Sequence, residues 1–345
     1  MTEKNLMVRR QFLKASAMLG GGFITAGSSI SSANAQESNL GGVTKPFRIV
    51  MGGYGPSTSS FSQGLKRIGD RLEARFSDDV EIKYVYNVMD LGYDGAGGLA
   101  TLVDHGWLSL AYMTMFAGIP ALELAALPFL FSDSASARAA MDGALGRSAI
   151  ETIENDTNYR VLGFFENGFR HVSNNTRPVQ SPDDLAGLAI RVLAVQARTF
   201  ELLGAKPTNT PLPGVFKGLE SGQLDGQENP FENVVTYSLY KTQRYYTETF
   251  HSYLSRPIFV NRLSFDAWPT ELQTELRAAV QDAVSFQRGL HDEAEVSAVE
   301  TIRESGGEII QLTPAQRAKF IDAVAPIYVD AQSLYSRELL SSVGL

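Results

Sequence analysis

Arg191 poses the clearest chemical question in the chain. It lies in Leu188-Ala-Ile-Arg-Val192, a run of strand length that is otherwise apolar. A guanidinium keeps its proton in a protein. Buried without a partner it is very costly, so this strand needs an anion beside it. Either an Asp or Glu of the chain supplies that charge as an internal salt bridge, or a ligand does. The segment ahead of the strand opens with a helix-start signal. Ser181 can cap, Pro182 suits a first helical position, Asp183 and Asp184 suit the positive end of the turn, and Gly187 breaks it.

Reactive groups are scarce elsewhere. The chain has no cysteine, which removes disulfides, a thiol nucleophile and thiolate metal ligands. The four histidines, His105, His171, His251 and His291, form neither an H-x-H nor an H-E-x-x-H pattern. Structural roles account for them better than a metal site. There is no G-x-S-x-G elbow and no phosphate loop. Gly52-Gly-Tyr-Gly55 lacks the glycine spacing of a dinucleotide fingerprint. Carboxylates are numerous but scattered, and nothing marks a glycosidase-type pair. The residues give no positive sign of catalysis, and no metal or cofactor is expected.

The elements that must position Arg191 belong to a chain of 345 residues, a length that suggests two domains. Residues 1–35 read as a twin-arginine signal peptide. Arg9-Arg10-Gln-Phe-Leu-Lys14 is followed by a weakly apolar Gly/Ala run and by Ala33-Asn-Ala35, a small-x-small cleavage pattern. The run is too short and too rich in glycine for a good membrane span. No cysteine follows the cleavage pattern, which excludes a lipoprotein. The whole chain carries −8; its first 35 residues hold four basic residues and one acid, which leaves −11 on the remainder. So acidic a protein is a poor partner for nucleic acid or anionic lipid. An anionic ligand would need local positive groups to overcome the overall field.

Phe47–Met51, Val80–Val88 and Leu108–Met115 read as strands separated by helices over Ser60–Phe76 and Leu99–His105. That order implies a parallel sheet covered by helices, with ligands at the carboxyl ends of its strands. Tyr54 and Tyr112 fall at such ends. Ala121–Phe131 reads as a buried turn and core plug, Ser136–Asn155 as a helix and Tyr159–Phe165 as a strand. The chain then crosses into a second domain near Glu166–Val172. After Arg191, helices are expected over Gln196–Leu203, Val215–Ser221 and Val235–Tyr246, with a turn-rich polar segment at Leu224–Pro230. Phe250–Val260 reads as a strand pair crossing back. The longest helix starts at Trp268-Pro-Thr270 and stops at Gly306-Gly307, roughly 50 Å that could brace both domains. Two shorter helices, Pro314–Val324 and Ile327–Leu340, finish the chain.

From about Phe47 onward the chain resembles the extracytoplasmic solute receptors of TRAP transporters, the family of C4-dicarboxylate- and sialic-acid-binding receptors. The resemblance rests on Gly168-Phe-Arg170 with Asn174, Ser181-Pro-Asp-Asp-Leu-Ala-Gly-Leu-Ala-Ile-Arg191-Val, Leu203-Gly-Ala-Lys-Pro207 and Gly222-Gln-Leu-Asp-Gly-Gln-Glu-Asn-Pro230. Each alone is weak; their order and spacing together are strong.

The resemblance implies a two-domain α/β periplasmic-binding-protein fold with hinge strands and a long domain-spanning helix. Domain I is expected over 46–167 plus 256–290, and domain II over 168–255 plus 291–345. It implies that Arg191 pairs with the solute carboxylate, with Arg170 as a second anion contact and Asn229 as a hydrogen-bond partner. A bidentate guanidinium fork matches a carboxylate, and desolvation strengthens the pair. Tyr54, Tyr112, Phe169 and Asp94 are further ligand-binding candidates, although each tyrosine could equally serve the core and Phe169 the hinge. His251 is read as structural. An aromatic at Tyr112, where relatives often carry an acid or small polar group, would favour a flatter, less hydroxylated acid. Relatives also often carry an acid where this chain has Gly214. The implied protein is not an enzyme. It is a periplasmic receptor for a small organic acid, with TRAP permease membrane subunits as partners, monomeric as most relatives are, or dimeric as some are. A sensor of the same fold, a secreted hydrolase and a cation-bridged ligand are the rival readings.

Overall fold

A computed structural model of the chain describes residues 46–345; the twin-arginine segment lies outside them. The first elements build a parallel layer. β1 (Phe47–Gly52) lies between β2 (Val80–Val85) and β3 (Leu110–Tyr112) and runs parallel to both. α1 (Ser60–Phe76) covers this layer with Phe61, Leu65, Ile68 and Leu72, a buried stripe at helical spacing. Ser59 caps it by accepting a hydrogen bond from the Ser62 N–H at 3.2 Å. α2 (Ala96–Asp104) precedes β3. The apolar stretch after β3 contains a short helix, α3 (Pro120–Ala125), where a turn was expected. The expected helix Ser136–Asn155 is two helices, α4 (Ser134–Asp142) and α5 (Ala144–Asp156), because the chain breaks at Gly143.

β4 (Tyr159–Asn174) is longer than its apolar pattern indicates and is buried nearly throughout. The second lobe follows as β5 (Ala189–Arg191), α6 (Ala197–Leu202), β6 (Lys206–Thr208), α7 (Leu212–Glu220), β7 (Gly226–Asn229) and α8 (Phe231–Thr236). β5 pairs in parallel with β6 and β7, and β7 pairs antiparallel with β4. The polar segment read as turns is therefore a buried strand; sheet pairing outweighs its poor strand propensity. The Tyr-rich stretch read as a helix over Val235–Tyr246 ends its helix at Thr236. Ser238 adopts φ +57, and the chain enters β8 (Tyr245–Asn261). β8 is one continuous strand instead of a strand pair.

β8 pairs antiparallel with β4 over almost their whole lengths, joining the layers into one nine-stranded sheet. Its order is β2-β1-β3-β8-β4-β7-β5-β6, with β9 (Glu308–Gln311) beside β8. Three register shifts interrupt the β4–β8 ladder, at Val161/Gly163, Glu166/Gly168 and Arg170/Val172. Such bulges bend and twist long strands. α9 (Arg262–Asp266) leads into α10 (Thr270–Glu304), 35 residues or ~52 Å long. Its first half packs Leu272, Leu276, Val280 and Val284 into the core of the first lobe. Its last turns pack Ala298 and Ile302 against Phe231 and Tyr246 of the second. α11 (Pro314–Leu334) is one helix with Pro326 inside it, followed by α12 (Arg337–Ser341).

Candidate functional site

Residues at the carboxyl ends of five strands converge on one cavity of about 750 Å³. Tyr54 follows β1, Thr114 follows β3, Arg191 ends β5, Asn209 follows β6 and Asn229 ends β7. That volume lies within the ~300–1,000 Å³ of small-molecule sites. Arg170 on β4 and Arg256 on β8 also reach its wall.

Arg191 is 6 % exposed. Its Nε donates to the Thr210 carbonyl at 3.0 Å. No carboxylate of the described residues lies within salt-bridge distance of it. Burial pulls its pKa below the usual guanidinium value, with Glu228 partly opposing that pull. The fork at the far end of the guanidinium is therefore available to an anion in the cavity.

Arg170 lies beside it in a different state. Its Nε donates to Glu228 Oε2, and its Nη2 donates to Glu228 Oε1 at 3.0 Å, to the Glu228 carbonyl at 2.6 Å and to Asn229 Oδ1 at 3.1 Å. Both partners are fully buried. Burial alone would raise the Glu228 pKa, but Arg170 and His251 outweigh it and hold it at about 2. Glu228 also accepts from the Leu193 N–H at 3.1 Å, at the start of the loop leaving β5. Arg170 thus has its charge met inside the protein and fixes Asn229 and the Arg191 loop, while the residue still lines the cavity. His251 sits behind this pair, 3.4 Å from Glu228, with its pKa lowered by burial.

Asn229 accepts from Arg170 and from Asn233 Nδ2, the latter at 3.3 Å, and donates to Gln227 Oε1. Tyr54 lines the cavity and shares a 2.8 Å hydrogen bond with the Thr114 hydroxyl. Asp94 also lines it, and its carboxylate caps the Gly98 N–H at 3.2 Å.

Two candidates do not reach the cavity. Tyr112 is fully buried, stacked on Phe61 at 5.1 Å and edge-on to Phe165 at 5.8 Å. Its hydroxyl accepts from the Tyr54 N–H at 3.4 Å. The ring is a core support for Tyr54, so it does not select for flat acids by contact. Phe169 packs edge-on against Phe250 and Tyr253 and lines a different, smaller depression near α10.

Sequence reasoning missed Arg256, Asn233 and Tyr237, all on the cavity wall. Tyr237 reaches across from the second lobe and donates to the Tyr54 carbonyl at 3.4 Å. Arg256 carried the same signal as Arg191, a lone charge inside the apolar run Tyr253–Val260.

Known proteins resemble this chain over most of its length. Residues 56–334 match the family described as bacterial extracellular solute-binding protein, family 7. The 2,3-diketo-L-gulonate-binding periplasmic protein YiaO of Escherichia coli is 31% identical over 278 residues, 79% of this chain and 83% of that protein. A TRAP periplasmic solute-binding protein of Bordetella, with density assigned to pantoate, superposes with a TM-score of 0.79 at 26% identity, covering 86% of this chain and 98% of that one. A second, from Xanthobacter autotrophicus Py2 with bound β-D-galacturonate, does so with a TM-score of 0.76 at 27% identity, covering 86% and 97%. With these matches and a cavity at the strand ends between two lobes, the chain belongs to the family 7 bacterial extracellular solute-binding proteins, which are two-domain receptors and not enzymes.

Proposed function

We propose that the protein is a periplasmic receptor that binds a small organic carboxylate through Arg191 and delivers it to a TRAP-type secondary transporter. The observation that carries this reading is the Arg191 guanidinium, buried on the cavity wall without a protein carboxylate. A carboxylate in the cavity would complete its bidentate pairing. The ligands named for the similar proteins, 2,3-diketo-L-gulonate, pantoate and galacturonate, share that group. In this reading Tyr54, Asp94 and Asn229, polar groups on the cavity wall, hold the rest of the solute, with Arg170 fixing Asn229 from behind. Export follows the twin-arginine route, as Arg9 and Arg10 indicate. The two lobes divide at 167/168 and 255/256, a boundary supported by the β4–β8 register shift at Glu166/Gly168.

Thermal melting of the purified protein against dicarboxylates, sugar acids, keto acids and aromatic acids tests the reading. An acid at 100 times its Kd stabilises the fold by about 2.7 kcal/mol, and its melting shift should vanish in Arg191→Ala. An unaltered shift in that variant would refute the assignment of Arg191.

A further inference from the structure

We propose that Arg256 forms a second anion subsite opposite Arg191, so that the solute carries two anionic groups and bridges the lobes. The inference rests on the receptor reading above and narrows its substrate class. Arg256 is 3 % exposed, yet it lines the cavity. Its contacts are neutral. Nη1 donates to Thr114 Oγ1 at 3.0 Å, Nη2 donates to Asn167 Oδ1, and the buried Nε has no partner. The guanidinium lies over the rings of Tyr54 at 5.1 Å and Phe61 at 4.8 Å. These faces hold the planar group in place without cancelling its charge.

Neither carboxylate that shares the cavity, Asp94 or Glu123, lies within salt-bridge distance of Arg256. Asp94 caps Gly98, and Glu123 accepts from the Gly118 N–H at 3.1 Å. Burial alone lowers the Arg256 pKa, to about 9, and no neighbouring acid opposes it. The group still carries its proton at neutral pH. The contrast with the other cavity arginines is sharp: Arg170 is met by Glu228 and Arg198 by Glu201 at 3.5 Å. Arg191 and Arg256 alone, among the described arginines lining the cavity, lack a carboxylate. Arg191 belongs to β5 of the second lobe, whereas the partners of Arg256 include Thr114, Tyr54 and Phe61 of the first. A diacid would satisfy one guanidinium from each lobe. A monoacid would leave one buried charge unmet as the cleft closed.

Calorimetric titration of the purified protein with matched pairs tests this: succinate against succinamate, glutarate against glutaramate, and D-galactarate against D-galacturonate. A charge-assisted contact corresponds to a preference of about 10- to 100-fold for the diacid in a pair that binds. Arg256→Gln should lower diacid affinity to that of its partner, while Arg191→Ala abolishes binding of both. Arg256→Lys, which keeps the charge but loses the planar fork, should reduce the preference and serves if the Gln variant does not fold. Equal binding of diacids and their partners, or a preference untouched in the Arg256 variants, overturns the second subsite and leaves Arg191 standing. Binding of no acid to a protein that melts cooperatively overturns both readings.

Discussion

The carboxylate at Glu228 sets Arg170 apart from the other buried arginines of the cavity. It meets the charge of Arg170 inside the protein, whereas Arg191 and Arg256 have no carboxylate partner among the described residues. Glu228→Gln would remove the counter-charge of a guanidinium only 1 % exposed. Breaking a buried pair from one side costs about 3–5 kcal/mol, so the urea midpoint should fall sharply. A midpoint within error of the parent would contradict the pairing. The same pair sets an acid limit. The folded pKa of Glu228, about 2, lies below its ordinary value of 4.5. Its stabilisation is therefore complete above about pH 4.5 and is lost as pH falls through 2. Arg191 was legible in sequence because a single charge interrupts an apolar strand. That Arg170 is already paired was not legible. It depends on the antiparallel register that sets Val172 against Glu228, and no local pattern encodes the pairing of strands so far apart.

At the scale of elements, the bulge in β4 at Gly168 joins hinge to brace. Gly168 has φ +77, and a Cβ there would lie 2.2 Å from His291 Nε2 on α10. Gln287, also on α10, accepts from the Glu166 N–H at 2.9 Å and donates to the Glu166 carbonyl at 2.9 Å, taking up backbone groups at the bulge. Gly168→Ala combines unfavourable φ with the clash and should cost more than about 1 kcal/mol in chemical denaturation. No measurable cost would mean that the bulge relaxes freely. Beside it, His291 Nδ1 lies 2.7 Å from Glu232 Oε2, while Glu295 accepts the N–H groups of Phe231 and Glu232 at the start of α8. Burial alone would lower the His291 pKa, but Glu232, Glu295 and Glu166 raise it to about 9. Burial lifts Glu295 to about 7 against the pull of His291 and those N–H groups. Both folded pKa values exceed the ordinary ones, so each contribution is present at low pH and lost as pH rises. His291 supports the fold fully below about 6.5 and not above 9. Melting temperature should therefore decline between pH 6.5 and 9, and His291→Asn should flatten that decline; an unchanged slope would assign it to other groups. The long α10 was legible from its unbroken helical period. β8 was not, because the irregularity between Thr247 and Ser252, where Phe250 takes φ +47, disrupts the alternation that marks one continuous strand.

Across the whole molecule, the cavity lies between lobes tied by β4 and β8 and braced along one side by α10. Several hydrogen bonds cross from lobe to lobe: Tyr237 donates to the Tyr54 carbonyl, Gln196 donates to the Ala126 carbonyl at 3.0 Å, and the Ser60 N–H donates to Glu232 at 3.2 Å. With the lobes in contact Arg191 and Arg256 are already shut away from water, a state that is costly unless anions sit with them, so without a solute the cleft should open. On the proposed reading closure is conditional on the solute, which would let a transporter distinguish loaded from unloaded protein. The acidic balance adds a second condition, because the net −11 of the chain after residue 35 repels anions until local guanidinium groups take over. Small-angle scattering reads closure directly. An acid that raises the melting temperature should reduce the radius of gyration of the purified protein, whereas sodium chloride at equal ionic strength should not. In Arg191→Ala the same acid should leave the radius unchanged. Saturating acid that stabilises the parent without compacting it would mean that the lobes are already set, and that recognition by the transporter must read the bound solute by some route other than closure.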